Sequence, residues 1–570
     1  MDSSIPANFR LLLMSSVQCK RCLKISIILL LLVVILITAS PAFRQGEAQR
    51  SYFTVVLDCG STGTRVNVYE WQRNITSNHD LPTLLHSFPD LSTKNPLHKD
   101  ACHYHCMQTE PGLDKFVHNS SGIRAALEPL LIWAEQQIPS ERHRDTSLFL
   151  LATAGLRNLP NEDAGWILEN AEAVVREHPF VYRINSIRVL SGKEEAYYGW
   201  VALNYKLGFL EKSSNTPTLG VLDLGGSSLQ VVVEIDESRE DKHFIKSKIG
   251  PIEHEILAYS LPAFGLNDAF DRTIVILSEQ QLLPRDTVDV KFELSHPCLS
   301  SGFMQNYTCY GCFRPNASSE KNYSGLPLRL SNSDSLVLVT LVGDPDWEQC
   351  KQLARAATIH SSSSDWLQLT ADMNCKLPSF NGTDSINSTA SHLSVARFHA
   401  LSGFFAVYNG LNLSPRANLS MILEKGQELC SRSWADLKRI SKNINHAVHY
   451  CFRVPYLVSL IEEALCLGDA EILFGPGDVS WTLAAALIEG KYLLPSQTKP
   501  YAGMLSLKAE VISSHALYFV LLLCVLFFVC CQVRRTTNLL LPMQGKKGYA
   551  VGVPSPSHVN QKTATKIVLD

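Results

Sequence analysis

The chain has no surplus of positive charge: 51 lysines and arginines stand against 54 aspartates and glutamates, a net charge of −3 over 570 residues. That balance excludes the broad basic footprint by which proteins hold nucleic acid. No short-period repeat runs through it, which excludes solenoids and propellers. Cys309-x-x-Cys312 has neither a second C-x-x-C nor paired histidines to accompany it, so disulfides are a better reading than a zinc site. Two glycine-rich segments stand out. Neither matches G-x-x-x-x-G-K-[ST], and neither clearly opens a helix as a dinucleotide loop does.

What is present is a duplication. Val55-Val56-Leu57-Asp58-Cys59-Gly60-Ser61-Thr62-Gly63-Thr64-Arg65-Val66 is matched by Leu219-Gly220-Val221-Leu222-Asp223-Leu224-Gly225-Gly226-Ser227-Ser228-Leu229-Gln230-Val231-Val232. Each is an apolar run, an Asp, a Gly/Ser/Thr turn and a second apolar run, which reads as strand, tight turn and returning strand. Successive N–H groups in such a turn form an anion nest, and its hydroxyls add donors for phosphate oxygens. An Asp at the strand end offers the hard oxygen that Mg²⁺ or Ca²⁺ prefers. A single Gly/Ser turn between strands usually binds nothing. Two with one grammar suggest facing hairpins that grip a polyphosphate from opposite sides.

Both ends of the chain carry apolar runs. Residues 25–42 follow Lys20, Arg21 and Lys24; residues 516–533 precede Arg534, Arg535, Lys546 and Lys547. Each is near the ~18–20 residues that span a bilayer. The positive flanks predict a two-pass integral membrane protein with both tails (1–24 and 534–570) cytosolic and the rest lumenal or extracellular. Ser40-Pro41-Ala42 offers the competing reading, a cleaved signal peptide. Nine N-x-[ST] sequons, at Asn74, Asn119, Asn306, Asn316, Asn322, Asn381, Asn387, Asn412 and Asn418, fall between the two runs and none in a tail. Cys59 reads as a small buried residue. Cys102, Cys106, Cys298, Cys309, Cys312, Cys350, Cys375, Cys430, Cys451 and Cys466 then suffice for five disulfides.

Between these ends there is room for two ordinary domains. The stretch to about Ser191 alternates strands (Phe149 to Thr153) with amphipathic helices (Ile123 to Gln137, Asp163 to Glu177), an α/β pattern. From about Pro284 to Asn418 the chain is rich in serine, sequons and cysteine, and reads as surface insertions.

Five ordered blocks carry a resemblance. They are the Asp58 loop with Tyr69-x-Trp71; Ala152-Thr153-Ala154-Gly155-Leu156-Arg157; Ser191-Gly192-Lys193-Glu194-Glu195-Ala196-Tyr197-Tyr198-Gly199-Trp200 with Asn204; the Asp223 loop; and Phe398 to Tyr408 with Cys451 to Tyr456 and Trp481-Thr482-Leu483. Together they resemble the apyrase family, the ecto-nucleoside triphosphate diphosphohydrolases, in a membrane-anchored, plant-type form. The resemblance implies an α/β, two-lobed, actin- and sugar-kinase-like (duplicated RNase H-like) fold with a nucleotide cleft between lobes, flanked by two transmembrane helices. It places lobe I at 51–191, completed by about 468–505, and lobe II at 192–467. Ala196, Ala484, Phe405 and Ala406 depart from the family pattern without removing a group the chemistry needs.

It also implies roles. Asp58 and Asp223 would organise Ca²⁺ or Mg²⁺ through the ion's waters; Ser61, Thr62, Gly63, Thr64, Gly225, Gly226, Ser227 and Ser228 would bind phosphate. Glu195 would be the general base, with Glu194 pointing elsewhere, although a Glu at a Glu-rich helix start is ordinarily just solvated. Thr153, Ser228 and Gln230 match positions that orient the attacking water. Tyr456 is the choice for stacking on the base, ahead of Phe404, Phe405, Tyr408 and Trp481; rings at such spacing are more often helix core. The implied substrates are nucleoside di- and triphosphates, with oligomers formed through the transmembrane helices. A sugar kinase would share fold and loops but needs an acceptor pocket. A catalytically weak, receptor-like nucleotide-binding glycoprotein is the alternative from another class.

Overall fold

The computed structural model describes residues 51–72, 81–89, 107–210, 217–236, 240–249, 252–262, 264–281, 292–309, 337–359, 364–373, 397–440 and 448–493. It is a mixed α/β fold of two six-stranded sheets and one three-stranded sheet. The β-branched run of β1 (Tyr52–Cys59) ends at the first glycine turn and returns antiparallel as β2 (Thr64–Gln72), with Asp58 opposite Arg65. β3 (Thr83–Phe88) and β4 (Gln108–Thr109) pair with β2, while β5 (Ser147–Ala152) and β6 (Ile187–Val189) extend the other side in parallel.

The second sheet repeats this plan. β7 (Gly220–Leu224) and β8 (Ser228–Glu234) make the second glycine hairpin, and β9 (Phe244–Ile249) and β10 (Ile252–Pro262) extend it. The small sheet, β11 (Phe292–His296), β12 (Met304–Cys309) and β13 (Val337–Gly343), occupies part of the predicted insertion region. β14 (Phe398–Ser402) and β15 (Ile472–Phe474) then add to β7 in parallel.

Strand β1 is buried on both faces, which explains why it reads as continuous rather than alternating. Phe53, Val55, Leu57 and Cys59 face helices α1 (Ser120–Gln137) and α2 (Asn161–Val175). Val56 faces the opposite way, into a core shared by both large sheets. Two helices fill that shared layer, α3 (Gly192–Lys206) and, from the far end of the chain, the helix Trp481–Leu493. Both are buried on most of their faces, as sandwiched helices must be. Each fully buried Val or Leu there contributes about 1.5–3 kcal/mol. Tyr69 and Thr482 hydroxyls, 2.7 Å apart, tie the C-terminal helix to β2. Asn204 Nδ2 donates to the Leu219 carbonyl at 3.0 Å and its Oδ1 accepts from the Leu219 N–H at 2.8 Å, fixing the end of α3 to the start of β7.

Disulfides join Cys298 to Cys350 and Cys430 to Cys451; Cys309 and Cys466 are also disulfide-bonded, and Cys59 is a buried free thiol as expected. Cys102, Cys106, Cys312 and Cys375 lie outside the described residues. The membrane topology needs correction. Among the described residues no helix is long and apolar enough to cross a membrane, which overturns the two-pass integral membrane placement. The apolar runs 25–42 and 516–533 themselves lie outside the described residues.

Candidate active site

The two glycine turns close on each other. A Cβ placed on Gly226 would come within 2.6 Å of Ser61 Oγ and 2.9 Å of Thr62 Cγ2, so this approach is made at glycine. Both turns use one internal bond: Gly60 N–H donates to the Gly63 carbonyl at 3.0 Å, and Gly225 N–H to the Ser228 carbonyl at 2.9 Å. The second turn also sits on the start of α4 (Leu266–Gln280), whose Leu266 and Asn267 N–H groups donate to the carbonyls of Gly225 and Gly226 at 3.0 and 2.8 Å. In a trans peptide N–H opposes C=O, so the amides of Gly226 and Ser227 point away from α4.

Between the turns lies a cleft of about 390 Å³. Asp58, Ser61, Thr62, Thr153, Glu195, Asp223, Gly225, Gly226, Ser227, Ser228 and Gln230 all line it. Burial pushes the Asp58 carboxyl above its ordinary range, opposed by Arg65, whose Nη1 is 3.2 Å from Asp58 Oδ2. Burial raises Asp223 too; a hydrogen bond from Ser402 opposes this and the charge of Asp58 adds to it. Ser402 has φ 51° and ψ −113°, a strained backbone of the kind that gathers at functional sites.

Glu195 is the third buried carboxylate. Ser191-x-x-Glu194 forms a capping box at the start of α3: Ser191 Oγ accepts from the Glu194 N–H, and Glu194 Oε2 accepts from the Ser191 N–H at 2.9 Å. Burial would raise the Glu194 carboxyl, but the Ser191 donors and Arg188 hold it below the ordinary range. One residue on, Glu195 faces the cleft. Burial pushes it up to about 7, opposed by Arg157 and reinforced by the charges of Asp223 and Asp58. Arg157 Nη2 pairs with Glu195 Oε2 at 2.8 Å. Ser228 Oγ accepts from Gln230 Nε2 at 2.7 Å and Arg157 Nη2 at 3.5 Å, linking the second turn to the Glu195 side.

Three sequence expectations change. Gly63 faces β4, where a Cβ would meet the Thr109 carbonyl at 2.4 Å, and is not a cleft residue. Thr64 is fully buried at the start of β2, also outside the cleft lining. Tyr456 is core: its hydroxyl donates to the Phe264 carbonyl at 2.7 Å and its ring stacks on Phe452. Phe404 and Tyr408 are buried as well, the latter stacked on Phe474, whereas Phe405 and Trp481 line the cleft. Sequence reasoning missed Arg65, Arg157, Ser402, Tyr450 and Arg453. Arg65, Arg157, Ser402 and Arg453 stood inside quoted blocks; Tyr450 lies one residue before one.

Among the described residues no three His, Cys, Asp or Glu side chains converge closely enough to ligate one ion directly. Three buried carboxylates with raised proton affinity nonetheless make the cleft a place that a hydrated cation would relieve.

Residues 44–489 match the GDA1/CD39 (nucleoside phosphatase) family. The chain is 38% identical over 504 residues to probable apyrase 7 of Arabidopsis thaliana, covering 88% of this chain but only 64% of that protein's length. It is 27% identical to probable apyrase 6 of Arabidopsis thaliana (79% of this chain, 75% of that protein). It is 24% identical to ectonucleoside triphosphate diphosphohydrolase 3 of Mus musculus (83% and 86%). A solved nucleoside triphosphate hydrolase from Neospora caninum aligns at TM-score 0.48 and 15% identity, over 82% of this chain and 98% of that one. With the family matched over most of its length and the family's blocks gathered round one cleft, the chain belongs to the GDA1/CD39 family of nucleoside phosphatases.

Proposed function

We propose that the chain hydrolyses nucleoside tri- and diphosphates to the monophosphate and inorganic phosphate by in-line attack of water on the terminal phosphate. The observation that carries this reading is Glu195: a buried carboxylate held by Arg157, set between two facing glycine turns and beside Asp58 and Asp223. Outward amides of Gly226 and Ser227, with those of Ser61 and Thr62 opposite, hold phosphate oxygens; the hydroxyls of Ser61, Thr62, Ser227 and Ser228 add donors. Glu195 takes the proton of a water that Thr153, Ser228 and Gln230 orient. Asp58 and Asp223 would hold a divalent cation, Ca²⁺ or Mg²⁺, which would neutralise charge on the phosphates. The nucleoside end falls to Phe405 and Tyr450, in place of Tyr456.

The reading extends to a two-lobed, actin-like organisation, with lobe I at 51–191 completed from about 468 and lobe II at 192–467. The recurring hairpin plan and the packing of Trp481–Leu493 against β1 support it. Exposed Asn119, Asn306, Asn412 and Asn418 are proposed glycan acceptors. Phosphate release by the purified chain from ATP, ADP, UDP and GDP with each metal tests the activity. Release from both tri- and diphosphates is expected; release only when a sugar acceptor is present would favour a kinase.

The carboxylates also predict a coupling of stability to pH. Glu195 folded has its pKa near 7, above its ordinary value of 4.5, so its contribution is intact below pH 4.5 and lost as pH rises through 7. Asp58 and Asp223 shift in the same direction. In chelator the melting temperature is expected to fall between pH 5 and pH 8, and Ca²⁺ or Mg²⁺ to restore more of it at pH 8 than at pH 5. Thermal shift across that range checks this.

A further inference from the structure

One wall of the cleft carries a helix whose N-cap residue makes no side-chain cap hydrogen bond. This helix, Tyr450–Ser459, has His449 at its N-cap position, and no side chain there bonds the first turn's N–H groups. Its first turn nevertheless carries two cleft residues, Tyr450 and Arg453. Between them in sequence is Cys451, disulfide-bonded to Cys430 at the end of the helix Leu419–Cys430. Tyr450 reaches across to the opposite wall: its hydroxyl donates to the Ala406 carbonyl at 3.2 Å and lies where a Cβ on Gly410 would be, 2.3 Å away. Ala406 is next to Phe405, whose ring packs against Gly477 so closely that a Cβ there would be 2.2 Å from it.

We propose that the Cys430–Cys451 cross-link positions the nucleoside-side wall, so that recognition of the base depends on it while phosphate chemistry does not. This rests on the reading that the cleft takes a nucleotide with its phosphates at the glycine turns. The disulfide fixes the second residue of the helix, and with it the neighbouring Tyr450 and Arg453. No residue of the phosphate turns, nor Asp58, Asp223 or Glu195, lies on either cross-linked helix.

The test compares a nucleoside triphosphate with inorganic tripolyphosphate, which lacks a base, on the full chain with a divalent cation. Cys430→Ser/Cys451→Ser is expected to raise KM for the nucleotide on the order of tenfold, the scale of one base–aromatic stack. Its kcat/KM for tripolyphosphate should stay at the native value. Cys298→Ser/Cys350→Ser, which removes the neighbouring cross-link, should show no such split. Equal loss on both substrates, or no loss on either, would overturn the inference. If the double variant does not fold, native protein reduced with a trialkylphosphine and alkylated gives the same ratio, once mass mapping has shown Cys430 and Cys451 modified. Native protein that hydrolyses neither substrate refutes the reading of the site itself, and the inference falls with it.

Discussion

Glu195→Gln is expected to lower turnover by about 10²–10⁴-fold, the range for loss of a general base, which is roughly 3–5 kcal/mol of barrier. Glutamine keeps the size of the side chain and its position on α3 but cannot accept the proton. Nucleotide binding should survive, because the facing turns owe nothing to Glu195: their internal bonds run from Gly60 to Gly63 and from Gly225 to Ser228. The loss should therefore appear in kcat and not in Kd. Glu194→Gln is the internal comparison. Its carboxylate is engaged by Ser191 and Arg188, so the change weakens a helix cap and should leave turnover nearly intact. Single-turnover phosphate release beside equilibrium nucleotide binding separates the two. Loss of activity in Glu194→Gln and retention in Glu195→Gln would move the base by one residue.

Removal of the cation should have an effect at least as large. In excess chelator hydrolysis is expected to vanish, and Ca²⁺ or Mg²⁺ should restore it. Asp58 and Asp223 end equivalent strands of the two sheets, both line the cleft, and each raises the proton affinity of Glu195. Without a cation the triphosphate would enter a site that already holds three buried carboxylates, and like charges at short range in a low-dielectric cleft repel strongly. Asp58→Asn should lower the apparent cation affinity and kcat together. It also leaves Arg65 without its carboxylate, so Asp223→Asn, whose neighbour is the uncharged Ser402, is the cleaner of the two. Phosphate release titrated with each metal checks both, and full activity in chelator would remove the cation from the mechanism.

What the sequence made legible was mostly local. The duplicated hairpins and both strand-end aspartates depend on residues within a turn of each other, and each was found where periodicity and turn chemistry put it. The helix expected from Ile123 to Gln137 spans Ser120–Gln137, and that from Asp163 to Glu177 spans Asn161–Val175. Contacts between distant segments were not legible. Gly63 looks like the other residues of its turn until β4, some forty residues later, closes over it. Tyr456 and Tyr450 lie on one short helix, and only the burial of that helix decides that Tyr450 meets the cleft while Tyr456 is enclosed. Glu195 needed the resemblance, because adjacent glutamates at a helix start look alike until the cap takes one of them. Ten cysteines implied cross-links, but spacing gave no partners.

The hydroxyl contact between Tyr69 and Thr482 spans 413 residues of sequence. A ribosome making roughly 5–20 residues per second needs about 20–80 s to travel that far. Throughout that time β1 and β2 exist, but the inner face that carries Val56, Tyr69 and Trp71 has no C-terminal helix to cover it. The first sheet to be synthesised is thus among the last to be completed, and its nascent form presents apolar surface for most of the protein's birth. A chain that stopped upstream of Trp481 would leave that inner face without its covering helix.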